Sequence, residues 1–268
     1  MKKFLLIFLL LSSSLFAKPR VLVSVAPQKH LISRIAEDRI LVDVIVPEGV
    51  SPHSYEPSPR QTMIIQRSTV WFRIGEGFEK RLVSTLGSKL HIVDQREGIP
   101  LLPTCGCCQD IEAYDPHIWL SPSLLKQLAC QMTSVLSQHF PESGPYFQAN
   151  LQRLLADLDD LDTKITALLK GKQGTSILVT HPAFGYFCRD YGLQQISIEQ
   201  EGKEPSVKQL MDILEQARQA DVHSVFLQKQ YSMKGGERIA KALGAKVVLV
   251  DPYREDVLDN LRQFAEIL

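Results

Sequence analysis

Between Pro145 and Lys170 nothing in the sequence breaks a helix. Leu151, Leu154, Leu155, Leu158, Leu161, Ile165, Leu168 and Leu169 recur at intervals of three and four, so they fall on one stripe of a helix. Asp157, Asp159, Asp160, Asp162 and Lys164 take the other faces. About 26 residues at 1.5 Å each make a rod of roughly 39 Å, long for a chain of 268 residues. Pro141 closes the segment before it, and Gly171 and Gly174 end it. A rod of this length in mid-chain divides the remainder into two units, each of which must pack on its apolar stripe.

Both flanks alternate short apolar runs with helical stretches. Before the rod, strands are predicted over 20–25, 41–47, 70–74 and 90–93, with helices over 28–37, 60–67, 78–86 and 122–139. After it, strands over 176–180, 195–198, 222–227 and 246–250 alternate with helices over 184–191, 206–220, 236–243 and 255–267. The strands are short and rich in Val and Ile, as parallel strands covered on both faces should be. The expected fold is α/β: two lobes, each a parallel four-stranded sheet with flanking helices, joined by one long rigid α-helix. The divisions are a leader at 1–17, an N-terminal lobe at 18–141, the linking helix at 142–172 and a C-terminal lobe at 173–268.

Three histidines share one setting. His53 lies in Pro52-His53-Ser54, His117 in Asp115-Pro116-His117, and His181 in Thr180-His181-Pro182. Each stands beside a proline in a loop, and open α/β sheets place ligand sites in loops at the carboxyl ends of strands. A single loop histidine is ordinarily no more than a solvated side chain. Three in the same setting, far apart in sequence, point instead to a site assembled by the fold. Converging neutral imidazoles suit a borderline-soft divalent ion, zinc most commonly. Asp251, in Val250-Asp251-Pro252, repeats the pattern of strand end, ligand-type side chain and proline, and is the candidate fourth ligand. Glu56 and Asp115 are either turn residues or carboxylates that accept the free N–H of a ligating imidazole. His30, His91, His139 and His223 lie in helical or strand patterns and read as structural.

The charge balance is neutral, with 30 Lys+Arg and 30 Asp+Glu, which argues against partners held by bulk charge such as nucleic acid. Lys2 and Lys3, the apolar run from Phe4 to Leu11 and the small-residue stretch ending at Ala17 read as a secretory signal. The run is shorter than the roughly 20 residues of a membrane span. Leu15 suits the cleavage rule poorly and allows a cut a few residues earlier. The expected product is an exported, soluble periplasmic monomer that does not span the membrane.

The motifs Pro52-His53-Ser54-Tyr55-Glu56-Pro57, Asp115-Pro116-His117-Ile118-Trp119-Leu120-Ser121-Pro122 and His181-Pro182-Ala183-Phe184-Gly185-Tyr186-Phe187 resemble those of the zinc- and manganese-binding solute-binding proteins of ABC metal importers, of the zinc-uptake kind. The resemblance covers residues 20–268. It implies two lobes around a rigid helix, metal bound between them by His53, His117, His181 and Asp251, and delivery to a membrane permease. Manganese-type members carry glutamate at the third position, so His181 favours zinc over manganese or iron. One departure is the segment before His117. Zinc-type members often have a histidine- and acid-rich loop there, whereas this chain has Cys105, Cys107 and Cys108. These thiols form either a disulfide, such as Cys105–Cys108 or a bond to Cys130, or an auxiliary zinc-capturing loop. The rival functions are an exported zinc hydrolase and a surface adhesin. The hydrolase would need an open coordination position and a general base, and Glu56 is the only nearby carboxylate to serve. The adhesin would have no need of three proline-locked histidines. The expected protein is therefore a metal carrier and not an enzyme.

Overall fold

The computed structural model describes residues 18–86, 90–103, 114–199 and 205–268. The leader and the loop with Cys105, Cys107 and Cys108 lie outside the described residues.

The N-terminal lobe alternates β1 (Arg20–Val23), α1 (Ala26–Ala36), β2 (Leu41–Val44), α2 (Pro59–Ile65), β3 (Val70–Arg73), α3 (Gly77–Thr85) and β4 (His91–Asp94). Its strands pair in parallel in the order β2-β1-β3-β4. Two long helices follow, α4 (Pro122–His139) and α5 (Gly144–Leu168). The C-terminal lobe continues with β5 (Ser176–Val179), α6 (Gly185–Tyr191), β6 (Gln194–Ser197), α7 (Val207–Gln219), β7 (Ser224–Gln228), α8 (Lys234–Leu243), β8 (Lys246–Val250) and α9 (Val257–Ile267). Its order, β6-β5-β7-β8, repeats that of the first sheet, again all parallel. The expected two-lobed α/β architecture is therefore the observed one.

Local chemistry sets the boundaries. Ser121 caps α4 by accepting from the Leu124 N–H at 3.1 Å, with Pro122 in the first turn where its missing N–H costs nothing. Ser206 and Gln209 form a capping box at the start of α7. The first strand is shorter than expected because Val25 already caps α1, whose first turn takes Pro27. The rod α5 stops at Leu168, slightly before the expected end. Gly171 follows with φ +82°, a conformation that glycine adopts without a steric penalty.

The stripe on α5 is what joins the lobes. Leu154, Leu158 and Ile165 are fully buried. They share one hydrophobic core with Val21 and Phe72 of the first lobe and Phe184, Phe226 and Leu261 of the second. The helix packs on α4 and α1 on one side and on α9 on the other. A direct bond also crosses between the lobes: the buried Trp119 indole N–H donates to the Pro252 carbonyl at 2.8 Å.

Candidate metal centre

Parallel sheets direct all their strand ends one way, and the carboxyl ends carry the site. His53 sits in a short 3-10 turn, Pro52–Ser54, after β2. Glu76 follows β3 as the N-cap of α3. Asp115 and His117 lie on the connection from β4 to α4. His181 follows β5, Glu199 follows β6, Tyr231 follows β7, and Asp251 and Tyr253 follow β8. The two lobes bring these loops together.

The three histidines converge, with their ligating nitrogens all within 4.8 Å of one another. His117 and His181 are buried, while His53 reaches in from an exposed turn. They border a cavity of about 190 Å³ together with Leu102, Pro103 and Asp115. His181 is fixed through its backbone, because the buried Gln228 side chain accepts from its N–H at 2.5 Å and donates to its carbonyl at 2.9 Å. Its ring stacks on that of Tyr231, with centroids 4.3 Å apart and planes at 5°.

Each imidazole has its own carboxylate. His53 Nδ1 meets Glu76 at 2.9 Å, His117 Nδ1 meets Asp115 at 2.7 Å, and His181 Nδ1 meets Glu199 at 3.1 Å. A carboxylate accepts, so each Nδ1 carries the hydrogen and each Nε2 is left with a lone pair. Those lone pairs point at each other: His53 Nε2 and His181 Nε2 are 2.9 Å apart. Two bare lone pairs at that distance repel unless a positive charge lies between them, supplied by a proton or a metal ion. Two nitrogens 2.0–2.1 Å from one tetrahedral ion stand about 3.3 Å apart, so a few tenths of an ångström of spreading admits zinc.

The protonation pattern follows from the same geometry. Burial works against a charge on His53, but the charge and hydrogen bond of Glu76, aided by Asp115 and Glu199, more than offset it, and its pKa is raised. Burial, together with the charges of His117 and His53, holds His181 well below the ordinary imidazole value. Of these two rings, His53 is therefore the one that takes up a proton more readily.

A tyrosine occupies the fourth side. The buried Tyr253 hydroxyl lies 3.2 Å from His117 Nε2, to which it donates, and 3.1 Å from the Tyr231 hydroxyl. Burial pushes the Tyr253 hydroxyl well above its usual pKa, so it is a neutral donor. Asp251 stands apart from this cluster. Its Oδ1 accepts from the Tyr253 N–H at 3.0 Å and from the Gln230 amide at 2.7 Å, and it borders a different cleft, between β8 and α9. Glu56 is also elsewhere, paired with Arg81 at the surface. Of the two carboxylates expected behind an imidazole, Asp115 is the one that bonds to one of the three rings. Glu76 and Glu199 were missed. The signal that could have found them is the one used for the histidines, a ligand-type side chain directly after a strand.

Buried polar groups in turn hold Glu76. Glu79, one turn into α3 and fully buried, accepts from the backbone N–H groups of Ile74 at 3.0 Å and Gly75 at 2.6 Å, and from the Ser24 hydroxyl. These bonds shape the turn that aims Glu76 at His53.

Residues 21–267 match the sequence profile of a family described as zinc-uptake complex component A, periplasmic. A Chlamydia trachomatis protein, named for an inferred metal-binding role, is 36% identical over 249 residues, covering 92% of this chain and 90% of its own. The high-affinity zinc uptake system protein ZnuA of Bacillus subtilis is 27% identical over 251 residues, covering 87% of this chain and 78% of its own. A crystal structure of ZnuA superposes with a TM-score of 0.87 at 34% identity, covering 93% of this chain and 97% of that one. Among the described residues no helix is long and apolar enough to cross a membrane. With the profile matched from the first strand to the last helix, this chain belongs to the zinc-uptake component A family, the metal-binding solute-binding proteins of ABC importers.

Proposed function

We propose that this chain captures zinc in the periplasm, on His53, His117 and His181, and delivers it to the membrane permease of an ABC importer. The observation that carries this reading is the set of three carboxylate-held imidazoles whose Nε2 lone pairs meet at one point. The donors that face the point are nitrogens, and the carboxylates stand behind them. Nitrogen donors favour zinc, whereas manganese favours carboxylate, carbonyl and water oxygens. Carriage rather than hydrolysis is the role because, among the described residues, the carboxylates beside the centre are already taken up: Glu76, Asp115 and Glu199 are each engaged by an imidazole N–H. Asp251 joins the ion only by giving up its bonds from Gln230 and Tyr253.

Metal analysis of protein purified from the exported compartment, with a competition series across zinc, manganese and iron, tests this. One equivalent of zinc, held against excess manganese and iron and lost in His117→Ala, is the expected result. Preferential retention of manganese or iron would overturn the zinc assignment and leave the carrier role to the other metal.

A further inference from the structure

A second pair of histidines lies far from the site just described. His91 opens β4, the edge strand of the first sheet, and His139 is the last residue of α4. The strand end that carries His91 is the amino end, opposite the edge on which His53, His117 and His181 converge. His117 lies one short 3-10 turn ahead of α4, whose 18 residues span about 27 Å before reaching His139. The two sites therefore sit at opposite ends of one helix.

His91 Nδ1 and His139 Nε2 approach to 2.7 Å, with ring centroids 5.0 Å apart and planes inclined at 34°. His91 is exposed, and each ring is anchored to a regular element, one by strand pairing and the other by the helix. Contact at this distance means the two nitrogens share a hydrogen, one donating to the lone pair of the other. A divalent ion can take the place of that hydrogen. Opening the pair by about 0.6 Å gives the 3.3 Å separation of two nitrogens on one tetrahedral ion, a small rotation for side chains at the surface. The position adds a favourable field, because the last carbonyls of α4 place partial negative charge beside His139. Burial and the neighbouring His91 lower the pKa of His139, which favours the neutral, ligating form of that ring.

We propose that His91 and His139 form a second, weaker site for an imidazole-seeking divalent cation, zinc in the first instance, with the remaining positions filled by water. Two protein ligands in solvent hold the ion less tightly than three oriented imidazoles lining a cavity, so this site fills only after the central one. The assignment is independent of the central site and of what the protein delivers.

The test is a zinc titration of the full mature chain with its thiols alkylated, following calorimetry and the imidazole ring signals of His91 and His139 by NMR. Two zinc equivalents of unequal affinity are expected, with those two ring signals moving during the second. His91→Ala and His139→Ala should each weaken the second equivalent by about tenfold or more, since losing a ligand costs at least what losing an outer-shell partner does. The first equivalent serves as an internal control for folding and should be unchanged. A second equivalent that persists at full affinity in both variants would overturn the proposal, as would ring signals that stay fixed through saturation.

Discussion

The sharpest test of the central site leaves every ligand in place. Asp115→Asn keeps the side-chain shape and an acceptor oxygen for both of its bonds, from the His117 backbone N–H at 2.9 Å and from His117 Nδ1 at 2.7 Å. What it removes is the charge behind the most buried of the three imidazoles. A hydrogen bond to an ionised acceptor contributes about 1.5–3 kcal/mol, against about 0.5–1.5 for a neutral one. The difference, about 1–1.5 kcal/mol, is the least that should be lost from ligand orientation and basicity. Loss of an outer-shell carboxylate typically costs about 10–100-fold in metal affinity, or roughly 1.4–2.7 kcal/mol. Asp115 should lie within that range and above Glu199, whose contact to His181 is longer at 3.1 Å. Stability carries the same number. At a fixed excess of zinc, binding stabilises the fold by RT ln(1 + [Zn]/Kd), so the zinc-induced rise in melting temperature should shrink by roughly 3–11 °C at about 2–4 °C per kcal/mol. Chelator competition gives Kd, and thermal scans with and without zinc give the second measure. A Kd within twofold of the parent, with apo stability preserved, would refute the idea that the carboxylate behind His117 tunes the site.

Four further outcomes are expected. Tyr253→Phe removes a hydroxyl that competes with metal for the lone pair on His117, so zinc should bind about 2–10-fold more tightly, within the worth of one neutral hydrogen bond; weaker binding would make the hydroxyl a ligand. Because the pKa of His53 is raised and that of His181 is depressed, His53 takes up a proton before His181 does. Zinc must displace that proton, so affinity should fall as pH drops through the range in which His53 charges; calorimetry in buffers of different ionisation heat reads the protons released, and an affinity that does not change with pH would contradict it. Leu158→Ala, at a fully buried position on α5, should cost about 2–5 kcal/mol by denaturant unfolding while leaving the zinc-induced gain unchanged; a cost below 1 kcal/mol would show that the stripe does not bear on both lobes. Small-angle scattering should give nearly the same radius of gyration with and without zinc, since one core runs through both lobes and α5, and a large compaction on loading would refute the rigid-rod account.

What the sequence could reveal of this site depended on whether the cause was local. The rod, its leucine stripe and the Val/Ile strands are properties of a few adjacent residues, and the structure places them within one to three residues of expectation, the second strand ending at Val44 rather than Pro47. The three histidines were legible for a related reason: a proline beside a histidine at a strand end fixes the backbone locally, whatever the rest of the chain does. Asp115 was legible because it lies two residues from the imidazole it holds. Glu76 and Glu199 answer to a different cause. They are 23 and 18 residues from His53 and His181 and reach them only because a parallel sheet delivers successive strand ends to one edge.

Asp251 shows the limit most plainly. Asp followed by Pro after a strand is the pattern of a ligand loop, but it is equally the pattern of a turn in which the aspartate accepts the N–H two residues on. Here the turn takes the carboxylate, and the residue it positions, Tyr253, is the one that faces His117. The consequence is electrostatic. With a neutral hydroxyl rather than a carboxylate on the fourth side, the negative charge of the site among the described residues lies behind the imidazoles, on Glu76, Asp115 and Glu199. An ion that depends on direct oxygen contact gains little from charge held one shell away. An ion that bonds to nitrogen gains from it through the basicity of each ring. On this account the zinc preference proposed above would reside as much in the Asp251–Tyr253 turn as in the histidines. Replacing Tyr253 with Asp should therefore narrow the ratio of zinc to manganese affinity, measured by competition on the same protein, and a ratio that stays the same or widens would place selectivity in the three imidazoles alone.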